Sequence, residues 1–113
     1  CGLTQSLDAG KPLSSVQVNT IADSLGPPLH MPYSFSICKK FIDKMIIVSD
    51  LEMQQAMKYM AVKHKFILEP AAVAGIAALL GPLKNKYKNQ NTVVILCGAN
   101  IDSNSWFNLT NNI

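Results

Sequence analysis

Thr92-Val93-Val94-Ile95-Leu96-Cys97, followed at once by Gly98-Ala99-Asn100, is the stretch on which the fold of this 113-residue chain turns. Its β-branched residues suit a pleated backbone, and no charge interrupts them. Polar Asn89-Gln90-Asn91 precedes the run and Gly98 ends it, so the pattern predicts a strand, central in a sheet and covered on both faces. A second, shorter apolar run, Met45-Ile46-Ile47-Val48, predicts another buried strand.

Helical signals fill the intervals. Leu3 to Ala9 reads as a helix stopped by Gly10, with Pro12 just beyond. Thr20 to Leu25 predicts a short helical or turn segment running into the breaker Gly26-Pro27-Pro28. Phe35, Ile37, Cys38, Phe41 and Ile42 carry helical spacing. Ser49-x-x-Glu52 is a capping box, in which each side chain satisfies the other residue's N–H. The helix it opens gathers Met53, Ala56, Met57, Met60 and Ala61 on one face, a stripe that reads as core. Pro70 suits the first turn of the next helix. That helix, Ala71 to Leu80, has Gly75 at its middle and can approach a sheet closely on more than one side before Gly81-Pro82 ends or bends it. Asp102 or Ser103 caps a last short helix bearing Trp106, Phe107 and Leu109. Helices alternating with strands predict an α/β layer architecture with a largely parallel sheet, and no linker divides residues 1–113.

Composition narrows the function. Nearly half the residues are apolar (49%) and 15% are charged, which fits a piece that rests against something else. The net charge of +3 comes from lysine alone, and the cluster Lys84, Lys86, Lys88 contains one aromatic, Tyr87, so no nucleic-acid partner is expected. Ala71–Leu80, the longest apolar run, is far shorter than the ~20 residues of a membrane helix. Cys1, Cys38 and Cys97 form no CxxC pair, and His30 and His64 stand apart, so no metal centre and no disulfide framework are expected. The chain opens on Cys1 with neither a basic apolar leader nor arginine, and reads as a processed product or fragment with a cytoplasmic location. The asparagines of the tail, Asn104, Asn108, Asn111 and Asn112, carry no site.

Two residues stand where chemistry is possible. In open α/β sheets, ligands bind beyond the carboxyl ends of strands. Cys97 ends the clearest run, and the small residues of Gly98-Ala99-Asn100 leave the backbone approachable; a small buried cysteine is the competing reading. Glu69 begins the alanine-rich helix, where capping alone is an equal explanation for a carboxylate.

Four short segments in register carry a resemblance: Thr20-Ile21-Ala22-Asp23, Pro32-Tyr33-Ser34-Phe35, Leu68-Glu69-Pro70-Ala71 and Leu96-Cys97-Gly98-Ala99-Asn100-Ile101-Asp102. Together they resemble the C-terminal end of the pyridoxal-phosphate-dependent threonine/serine dehydratases, within the tryptophan-synthase-β-like (fold type II) enzymes. The resemblance implies that residues 1–113 are a C-terminal fragment of a parallel sheet flanked by helices. Pyridoxal phosphate is its implied cofactor, a small amino acid its substrate, and the remainder of the enzyme its partner in a homo-oligomer. It implies that Cys97 faces the cofactor's pyridine nitrogen, that Gly98 shapes the turn and that Glu69 lies near the ring's edge. Ser24 falls beside the ring's oxygen substituent, where relatives often have glycine. Asn100 and Lys65 match positions near a nucleotide effector site of serine racemases. The reaction implied is dehydration and deamination of threonine or serine to a 2-oxo acid and ammonia. None of the ten lysines lies in the motif of the Schiff-base lysine, and no glycine-rich phosphate loop is present. No catalytic residue is therefore expected in this chain, and it should be inactive alone. A serine racemase or hydroxyaspartate dehydratase of the same fold, or a non-catalytic partner domain, is the alternative.

Overall fold

The computed structural model describes residues 2–111 and 113; Cys1 and Asn112, both named above, lie outside the described residues. The chain divides into two compact units, Cys1–Ile47 and Val48–Ile113.

In the first unit α1 (Gly2–Asp8) packs on α2 (Pro32–Phe41). Gly10 leaves α1 in the left-handed region, at φ 69°, which only glycine adopts without strain. Ser6 is fully buried on α1; its Oγ accepts the Leu13 N–H at 3.1 Å and lies 2.6 Å from His30 Nδ1. That hydroxyl thus ties the loop after α1 to the segment before α2. His30 is a half-buried tie of this unit. Pro32 opens α2 at a position where no N–H is missed. Phe35 is the buried residue of that helix, whereas Tyr33, Ile37 and Phe41 stay exposed. Thr20 to Leu25 forms the short helical or turn segment expected there, with a 3-10 turn at Asp23–Leu25.

The second unit is built on α3 (Asp50–Tyr59), which packs against α4 (Ala74–Leu80) and α5 (Ser103–Thr110). The capping box forms as read: Ser49 Oγ accepts the Glu52 N–H at 3.3 Å, and Glu52 Oε2 accepts the Ser49 N–H at 2.7 Å. The Ser49 N–H, then the Ser49 hydroxyl, which donates to the same Oε2 at 2.8 Å, draw the Glu52 carboxyl below its ordinary value. Past Tyr59 the helix loosens into a π turn, Met60–His64, and Lys65 ends it in the left-handed region at φ 63°. Met53, Ala56, Met57 and Met60 of the predicted stripe are buried, as are Val73, Ala77 and Ala78, whereas Ala61 is half-buried. Ala71–Val73 forms a 3-10 turn leading into α4.

The predicted sheet is absent among the described residues: neither Met45–Val48 nor Thr92–Cys97 forms a strand. A strand exists only as one member of a hydrogen-bonded pair. No backbone hydrogen bond joins residues 43–48 or 92–97 to another described segment. Nor is the second run covered on both faces: Val93 is 92% exposed and Ile95 81% exposed. Val94 alone in this run is half-buried, packed so closely on α4 that a Cβ at Gly75 would lie 2.7 Å from its Cγ1. Gly75 thus provides the close approach its position predicted, to one face of one segment.

Candidate functional site

The second unit holds Glu69, Gly98 and Cys97, all three singled out by sequence. Glu69 follows buried Leu68 and precedes buried Pro70, so its backbone is anchored while its side chain is half-exposed. Its N–H donates to the carbonyl of Gly98 at 3.4 Å, and its Oε2 accepts the N–H of Asn100 at 3.0 Å. The carboxylate lies so close over Gly98 that a Cβ there would stand 2.5 Å from Oε1 and 2.9 Å from Oε2. Gly98 is required by this contact, because a side chain would occupy the same space as the carboxylate. The carboxylate reaches across to residues that follow Cys97, a partnership that helix capping does not account for.

Cys97 precedes that closure directly, and it is exposed with a free thiol rather than being the small buried cysteine of the competing reading. Beyond the turn the Ile101 N–H donates to the Ala99 carbonyl at 2.9 Å. Asp102 then caps α5, accepting the N–H groups of Asn104 (3.1 Å) and Ser105 (3.0 Å) through Oδ1. The side chain of Ser105, then its N–H, draw the Asp102 carboxyl below its ordinary value. The turn after Cys97 is therefore pinned twice, by Glu69 within it and by the capped helix behind it.

Ser24 belongs to the first unit, in the 3-10 turn. Its N–H donates to Asp23 Oδ1 at 2.7 Å and its hydroxyl to the same oxygen at 3.3 Å. Lys65 folds back on its own helix, its Nζ donating to the Val62 carbonyl at 2.8 Å. His64 stacks at a tilt on Tyr59, with ring centroids 5.5 Å apart. Asn100 was singled out only through the resemblance; its part in the closure belongs to its backbone N–H, which carries no mark in a sequence. Among the described residues no group of histidine, cysteine and carboxylate side chains could hold a metal ion.

The exposed thiol of Cys97 stands at the head of a turn that Glu69 closes, an arrangement that by itself names no family. The comparisons with known proteins point to one. The profile of the pyridoxal-phosphate dependent enzymes matches residues 2–98. A phenylserine dehydratase of Ralstonia pickettii is 35% identical over 99 residues, covering 88% of this chain and 30% of the relative. The serine racemase of Schizosaccharomyces pombe is 35% identical over 83 residues, 74% of this chain and 25% of that protein. Among solved structures, the processed form of threonine deaminase isoform 2 from Solanum lycopersicum superposes with a TM-score of 0.87 at 31% identity. That match covers 98% of this chain and 33% of the other. The chain thus spans a quarter to a third of the length of these proteins.

Proposed function

Because the chain belongs to the pyridoxal-phosphate dependent enzyme family, we propose that it is the C-terminal part of a threonine/serine dehydratase, forming the far wall of the cofactor pocket. The observation that carries this reading is the closure of Glu69 over Gly98 directly behind the exposed thiol of Cys97. In it, Cys97 faces the pyridine nitrogen, Gly98 leaves room for the Glu69 carboxylate, and Glu69 lies at the ring's edge.

When bound, the cofactor supplies an electron sink for the substrate's α-carbon. Cys97 sets how strong that sink is. A neutral thiol there would not hold a proton on the ring nitrogen as an aspartate would, which suits loss of a β-hydroxyl from the substrate. The turn holds the thiol in place, and the small residues around it admit the flat ring. The acid/base lysine of the reaction is not among the lysines of this chain in this reading, so the remainder of the enzyme is the obligatory partner. Val93 and Ile95, bare on residues 92–97, are the surface that partner covers. A homo-oligomer acting on a small amino acid, in the cytoplasm, completes the proposal. The free thiols of Cys38 and Cys97 suit a reducing compartment.

A racemase is the second reading, favoured by identity to the serine racemase equal to that with the phenylserine dehydratase. A hydroxyaspartate dehydratase is a third substrate variant of the same chemistry. One graft tests them all: this chain replaces the matching segment of the Ralstonia pickettii phenylserine dehydratase. The expected product binds pyridoxal phosphate with the visible absorbance of its lysine imine and releases a 2-oxo acid from threonine or serine. Inversion of serine without release of the oxo acid would select the racemase, and oxo acid from hydroxyaspartate alone would select the third variant. A folded graft that takes up no pyridoxal phosphate would overturn the reading.

A further inference from the structure

We infer that Glu69 is a positioning residue: its carboxylate clamps the Gly98–Asn100 turn and thereby sets the thiol of Cys97, so that it acts through the turn. This inference rests on the proposed placing of Cys97 against the cofactor.

Three contacts converge on the turn from one residue. The Glu69 N–H takes the Gly98 carbonyl, its Oε2 takes the Asn100 N–H, and its carboxyl group fills the place of a side chain at residue 98. The first two bonds grip the turn on both sides of Ala99. A charged acceptor on a backbone N–H is among the stronger hydrogen bonds of a protein. The third contact is steric and makes the pair conditional, since Gly98 and Glu69 must be chosen together. Cys97 is bonded directly to Gly98 and its own segment carries no backbone hydrogen bond to another described segment. The clamp is therefore the nearest fixed point from which the direction of the Cys97 side chain is set. Pro70, buried, anchors the other end of the lever by holding the backbone that carries the carboxylate.

The clamp itself is measured on the full 113-residue chain, by hydrogen exchange of the Asn100 amide, with the Met53 amide of α3 as reference. Glu69→Ala should raise Asn100 exchange about tenfold while leaving Met53 unchanged. Glu69→Gln, whose side-chain oxygen still accepts, should retain most of the protection. Equal exchange of Asn100 in all three chains would overturn the clamp.

Its effect on Cys97 is read in the graft described above, loaded with pyridoxal phosphate, as the rate of thiol alkylation by iodoacetamide. Bound pyridoxal phosphate should slow alkylation of Cys97. Glu69→Ala should restore it to near the unloaded rate, and Glu69→Gln should not. Alkylation as slow in Glu69→Ala as in the unsubstituted graft would sink the positioning role. If pyridoxal phosphate fails to slow alkylation even with Glu69 present, the placing of Cys97 against the cofactor fails instead, and the exchange measurement still decides the clamp.

Discussion

The carboxylate of Glu69 occupies the space in which a side chain on Gly98 would begin, 2.5 Å from an ideal Cβ at its nearest oxygen. These residues are 29 positions apart, and each constrains what the other can be. Gly98→Ala should therefore destabilise the second unit by about 1–3 kcal/mol, the range for overpacking. Removing the carboxylate as well should recover part of that loss. Urea unfolding of Gly98→Ala, Glu69→Ala and the double variant checks this: the double variant should be more stable than the sum of the single effects.

Gly75 and Val94 make the same kind of pair, with Cγ1 of Val94 2.7 Å from a Cβ at residue 75. Although alanine is the better helix former, Gly75→Ala should push the segment off α4. A loss of about 1–2 kcal/mol is expected, recovered when Val94→Ala is added. Thermal unfolding of the single and double variants would show it, and a gain in stability from Gly75→Ala alone would refute it.

Met57 is fully buried between α3 and its neighbours, at 0% exposure. Met57→Ala removes that packing and leaves a cavity, so about 2–5 kcal/mol should be lost. Since many domains have 5–15 kcal/mol in all, loss of cooperative unfolding is an acceptable form of the same result. Leu51→Ala on the exposed side of the same helix should change stability by under about 1 kcal/mol.

Ser6 holds the first unit's turn through one oxygen. Ser6→Ala leaves the Leu13 N–H and His30 Nδ1 without it, at a cost of about 1–3 kcal/mol. Faster amide exchange at Leu13 is the direct readout. Ser6→Thr retains the hydroxyl but adds a methyl at a fully buried site, and should be intermediate.

The capping box makes a pH-dependent contribution. The Glu52 carboxyl is held below its unfolded value by Ser49, so the folded state binds its proton less readily than the unfolded state does. Its contribution is therefore present above the usual glutamate range and disappears as pH falls through the lowered value. Ser49→Ala should cost about 1 kcal/mol at neutral pH, and the difference from the parent chain should shrink on acidification. Denaturant titrations at neutral pH and below the glutamate range would test the sign; a cost that grows in acid would contradict it.

The capping box, the methionine stripe, the stop at Gly10 and the Asp102 cap were all legible because each is satisfied within a turn or two of its own backbone. Local spacing encodes such contacts directly. Glu69, Cys97 and Gly98 were legible as candidates, and the four short segments in register led to the family that the match over residues 2–98 establishes. The use of Glu69 was not legible, since its partner is an amide 31 positions away that every non-proline residue possesses. The β-branched run from Thr92 shows the opposite limit. Its composition is that of a strand, yet strand structure is a property of a pair, and no described segment supplies the second member. Side-chain pattern is written residue by residue, whereas a clamp or a ladder is decided by which distant backbone groups the packed helices bring within hydrogen-bonding reach.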